Sequence, residues 1–229
     1  MESRRIIEML QGSQLRAQRG LVVATETSNA QLARLNLGQL FRAHAKQGLV
    51  EWRSGTGKPS ASLLSAITTA EHACKILPSL GGEVSEETFP LAEACGLATL
   101  VLPTSPLLPL LASSAPRAAE SLLALTVAGA VHPTDFASFI SAQTFPSNQT
   151  LWRETLQTYA DLLLGCDPAP LVSRAELLFT QRATDPYFSG GDAMYGGGPD
   201  NTFVIDFWLA SIICRTGYTG NSLHTWTGA

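Results

Sequence analysis

"PSASLLSAITTAEHACKILPSLGG" (59–82) decides the fold. Leu63, Ile67, Ala70, Cys74 and Leu77 recur at spacings of 4, 3, 4 and 3, which places all five on one side of a 3.6-residue helix. Pro59 suits a first helical turn, where its missing N–H costs nothing. Pro78 and Gly81-Gly82 supply the stop. The segment is therefore read as an amphipathic helix over 59–78, with its apolar stripe turned to a core.

The same period recurs on both sides of it. Upstream, Ser28-Asn29-Ala30-Gln31 fits a capping box, with Ala33, Leu37, Leu40, Phe41 and His44 on one face behind it and Gly48 as a stop. The loop "WRSGTGKPS" (52–60) joins the two helices, so they are expected to pack as an antiparallel hairpin. Downstream, "LAEACGLATLVL" and "RAAESLLALTVAGAV" read as buried helices joined by an extended proline-rich segment, and "PTDFASFISAQ" as a short helix. Trp152, Leu156, Tyr159 and Leu163 form another stripe ending at Gly165. Leu171, Ala175, Leu178 and Phe179 follow it after the turn "CDPAP". "NTFVIDFWLASIICR" (201–215) is apolar nearly all round and is expected in the core, capped by Asp200 or Asn201. Alternation of the strand type is confined to "LVVATE" (21–26). The fold class expected is all-α, a compact irregular domain of antiparallel helix hairpins spanning 1–229.

Composition bounds the function. The chain has 229 residues, of which 45% are hydrophobic and only 15% charged, so it has ample apolar surface for a core. No run reaches the roughly 18 apolar residues of a membrane span, since Pro103, Pro106 and Pro109 interrupt the nearest candidate. The start "MESRRIIEML" lacks the apolar stretch of a signal peptide, which leads to a cytoplasmic expectation. Cys74, Cys95, Cys166 and Cys214 are widely spaced and are read as reduced, buried small hydrophobes. Residues 1–58 carry nine basic and four acidic residues, +5, and residues 59–229 six and fifteen, −9. The short basic part has no interleaved aromatics, which argues against nucleic acid. The acidic remainder suits a basic protein surface.

Recognised motifs fail one by one. "SGTGKPS" has Trp52 and Pro59 where a phosphate loop needs glycine and a hydroxyl. Gly220-Asn221-Ser222-Leu223-His224 lacks the closing glycine of a nucleophile elbow. Glu71 and His72 form no i, i+4 metal pair, and Asp185, Asp192 and Asp200 do not follow the calcium-loop spacing. No metal and no cofactor is expected.

What remains is "DPYFSGGDAMYGGGPDN" (185–201). Glycines give it backbone freedom, and seventeen residues is long for a connector in a compact domain. Tyr187, Phe188 and Tyr195 offer aromatic contact area, while Asp185, Asp192 and Asp200 offer negative charge; recognition loops combine these. The six are the candidate partner-binding residues. Asp206 lies among apolar neighbours, so it needs a partner such as Arg182 or Arg215, as a structural acid.

The tail "YGGGPDNTFVIDFWLASIICRTGYTGNSLHTW" resembles C-terminal segments of bacterial immunity proteins of polymorphic-toxin and type VI secretion systems, over about 35 residues. Those segments set a glycine-rich, Asp/Asn-containing turn before an apolar helix with an internal aspartate, and a tryptophan near the end. The resemblance implies a small cytosolic protein that neutralises a toxin by binding it. A non-catalytic binder is the expectation. The alternatives are a hydrolase or transferase assembled from Asp206, His224 and Ser222, and a helical scaffold or adaptor. Trp52, Trp226 and the apolar middle are candidate contacts for a homodimer.

Overall fold

The computed structural model describes residues 2–85, 88–102, 105–113, 119–184 and 205–226. Among them are ten α-helices and no strand, so the fold class is all-α. Helix α1 (Glu2–Glu26) includes the strand-like "LVVATE", whose branched residues simply form its last turns. Its buried positions, Ile6, Leu10, Ala17 and Ala24, are spaced 4, 7 and 7 apart, a stripe made narrow by its alanines.

Helix α2 (Ala30–Ser54) differs from expectation at both ends. Ser28 is not its cap but sits in the left-handed region at φ 50°. Asn29 caps the helix, its Oδ1 accepting from the Leu32 amide at 3.0 Å. Nor does Gly48 stop it. A Cβ at Gly48 would lie 2.6 Å from Leu63 Cγ, so this glycine allows close approach of α3. The stop is Gly55, in the left-handed conformation at φ 63°, which lacks the Cβ that would make it strained.

Helix α3 (Pro59–Ser79) matches the quoted stretch, with Leu63, Ile67, Ala70 and Leu77 buried and Cys74 half-buried. Only Gly55–Lys58 separates α2 from α3. The two run antiparallel: Gly48 meets Leu63 near the turn, while Ala30 and Leu77 both approach Gly82 at the far end. A polar thread crosses these helices. Gln14 donates to Gln47 Oε1, Gln47 to Glu51 Oε1, and Ser62 Oγ to Glu51 Oε2, each at 2.8 Å.

Helix α4 (Leu91–Val101) is buried almost all round, and α5 (Leu107–Ser113) occupies part of the segment read as extended. Helices α6 (Ala119–Val127) and α7 (Pro133–Ala142) follow, and a 3-10 turn leads into α8 (Thr150–Leu163). Helix α9 (Pro168–Thr184) packs on α8. Helix α10 (Phe207–Thr216) lies against α4, α6 and α8. It crosses α4 closely: Ser211 Oγ donates to the Gly96 carbonyl at 3.1 Å, and Trp208 and Phe207 crowd that glycine. One apolar cluster extends from Ala24 to Ile213. Among the described residues, no helix is long and apolar enough to cross a membrane. No disulfide joins the four cysteines, all of which are described; Cys95 is buried as expected, but Cys74 is half-buried and Cys166 and Cys214 are exposed.

Candidate functional site

The polar centre of the molecule is built on the two helical stripes of the second hairpin. On α8, Trp152, Leu156 and Tyr159 face inward at spacings of 4 and 3. On α9, Ala175, Phe179 and Arg182 repeat that spacing, which carries the guanidinium into the same interior. Helix α10 starts where these stripes converge, and its first residue of contact is Asp206.

Asp206 is the N-cap of α10, not a mid-helix residue, and the expected cap at Asp200 or Asn201 is replaced by it. Its carboxylate is fully engaged. Oδ1 accepts from the Leu209 amide at 3.1 Å. Oδ2 accepts from Arg182 Nη2 at 2.7 Å and from the Tyr159 hydroxyl. The acid and the arginine are 4% and 2% exposed in their side chains, so this is a buried ion pair. The helix N-terminus adds positive partial charge beside the carboxylate. Arg182 therefore fulfils the pairing expected of Asp206. Arg215 does not; its Nη1 donates to the Val127 carbonyl at 2.7 Å.

The cation is held by aromatic faces as well. Arg182 stacks 5.1 Å from the Trp152 ring and 5.5 Å from that of Phe179. Trp152 in turn donates from Nε1 to Glu120 Oε1 at 3.1 Å, tying the pair to α6. Burial, and then the negative charge of Asp206, push the Tyr159 phenol well above its usual range, so it serves as a proton donor.

The C-terminal segment closes the site. The Asp206 amide donates to His224 Nδ1 at 3.0 Å, and Ser222 Oγ donates to Glu176 Oε1 at 2.7 Å. Ser222, His224 and Asp206 are thus neighbours, but they are not wired as a nucleophilic relay. Such a relay needs the acid on one imidazole nitrogen and the serine on the other. In this site the acid binds Arg182 and Tyr159, the histidine takes a backbone amide, and the serine serves Glu176. Trp52 and Trp226, candidates for a dimer contact, pack on each other at 4.6 Å and 74°.

Arg182 and Asp206 lie on either side of the stretch 185–204 in sequence, and a 2.7 Å bond joins their side chains. The six residues expected to bind a partner, Asp185, Tyr187, Phe188, Asp192, Tyr195 and Asp200, lie outside the described residues. Tyr159 is the member that sequence reasoning missed as a polar group. Its place in an apolar stripe disguised a hydroxyl that has to be paired when buried.

Comparison with family models, with curated proteins and with solved structures finds no match.

Proposed function

We propose that this chain is a non-catalytic cytoplasmic binding protein whose partner is another protein with a basic surface. The observation that carries the reading is the buried 2.7 Å Arg182–Asp206 ion pair, which joins α9 to the start of α10, the two described elements that the aromatic and acidic stretch 185–201 separates in sequence. A binding loop gains affinity when its base is fixed, because less freedom is lost on association. Asp185, Asp192 and Asp200 supply charge to steer a basic partner, and Tyr187, Phe188 and Tyr195 supply contact area. The −9 balance of residues 59–229 supports the same sign of partner. The resemblance of 195–226 to immunity proteins supports a toxin as that partner, neutralised by occlusion.

Co-expression with the larger product of an adjacent gene tests this reading. Co-purification of the two chains, together with protection of the host from the toxic product, is the expected outcome. Toxicity unchanged by this protein, with no complex on size exclusion, would overturn the toxin reading.

A further inference from the structure

The segment that follows α10, residues 217–226, is fastened back onto the helices at three points. Ser222 Oγ donates to Glu176 on α9 at 2.7 Å. His224 Nδ1 accepts the Asp206 amide at 3.0 Å, with its ring set edge-on to Phe179 at 5.4 Å and 83°. Trp226 meets Trp52 of α2. Between these points Leu223 is 61% exposed, so the segment is a strap laid over the surface and held by its fastenings.

The middle fastening depends on a protonation state. An imidazole that accepts on Nδ1 carries its single proton on Nε2, and a second proton turns Nδ1 into a donor facing another donor. His224 is only 4% exposed, so water has little access to rescue the broken bond. We infer that residues 217–226 form an acid-released strap, which leaves Asp206 and Phe179 when His224 takes up its second proton.

Among the described residues, the charged groups acting on the ring are Asp206 at the start of α10, Glu176 and Arg182 on α9, and Arg53 on α2, with the Tyr159 hydroxyl of α8 bound to the same Asp206 carboxylate. Burial, the largest influence, holds His224 below its ordinary value of 6.5; the two carboxylates oppose this, and the two arginines reinforce it. The docked strap therefore binds the proton less readily than the free strap. Docking is independent of pH above about 6.5 and weakens as pH falls below it, the opening constant rising by up to about tenfold per pH unit until the docked histidine titrates too.

Hydrogen exchange on the intact chain between pH 7.5 and 5, corrected for intrinsic rates, tests the inference with two variants. In the wild type, protection over 217–226 is expected to fall by up to about tenfold per unit below pH 6.5, while α8 stays protected. His224→Asn keeps an acceptor oxygen near the Nδ1 position without a titrating proton, and should hold the strap at both ends of the range. His224→Ala should leave it open at both. Flat protection in the wild type, the same acid curve in His224→Asn, or simultaneous loss of protection in α8 would overturn the inference.

Discussion

Replacing Asp206 by alanine removes three bonds at once: the ion pair to Arg182, the Tyr159 bond and the Leu209 cap. Breaking a buried pair by deleting one partner costs about 3–5 kcal/mol, since the other charge is left without compensation. Loss of the cap adds about 1 kcal/mol. The expected destabilisation is then about 4–6 kcal/mol, and at about 2–4 °C per kcal/mol for a chain of this size the melting temperature falls by about 8–24 °C. Asp206→Asn, which preserves side-chain acceptance from Leu209, should lose less. Chemical denaturation read by tryptophan fluorescence gives the energies, and a cycle with Arg182→Met isolates the pair. The double variant should be less destabilised than the sum of the singles by about 2–3 kcal/mol. A loss below about 1 kcal/mol for Asp206→Ala, which is the range of exposed pairs, or simple additivity in the cycle, would refute the reasoning.

Two further predictions concern helix packing at Gly96 and helix capping at the start of α2. Gly96→Ala places a Cβ 2.6 Å from Trp208 and 2.8 Å from Phe207, so α4 and α10 have to separate; a loss of about 1–3 kcal/mol is expected in the denaturant midpoint. Asn29→Ala should cost about 1 kcal/mol, whereas Ser28→Gly, at a left-handed position, should raise stability by a few tenths to about 1 kcal/mol; the reverse order in thermal melts would contradict the assignment of the cap.

How much of this was legible in the sequence depended on what kind of signal each element carried. Helix α3 and the α8–α9 hairpin were plain because large apolar residues marked the period. The helix α1 was hidden, since Ala17 and Ala24 do the packing and the exposed Val22 and Val23 mimic a strand. Gly48 misled because a glycine that ends a helix and one that lets a helix approach look alike in a string of letters. Asp206 was marked as needing an arginine such as Arg182 or Arg215, and it pairs with Arg182, but the local reason was wrong. Its apolar neighbours suggested a mid-helix acid, while the helix in fact begins at Phe207 with Asp206 as its cap. The roles of Tyr159 and His224 were illegible because they depend on chain segments 47 and 18 residues away meeting Asp206. No local pattern encodes such a meeting.

The most direct measurement for the central claim is partner affinity with residues 185–201 altered and the Arg182–Asp206 pair intact. Asp192→Ala and Tyr195→Ala together remove one charge and one aromatic side chain from 185–201 and leave Arg182 and Asp206 unchanged. Against a toxin that co-purifies with this chain, calorimetric titration should show binding weakened by about 1–3 kcal/mol, at an unchanged melting temperature. Affinity equal to that of the wild type would place the interface elsewhere and contradict the account.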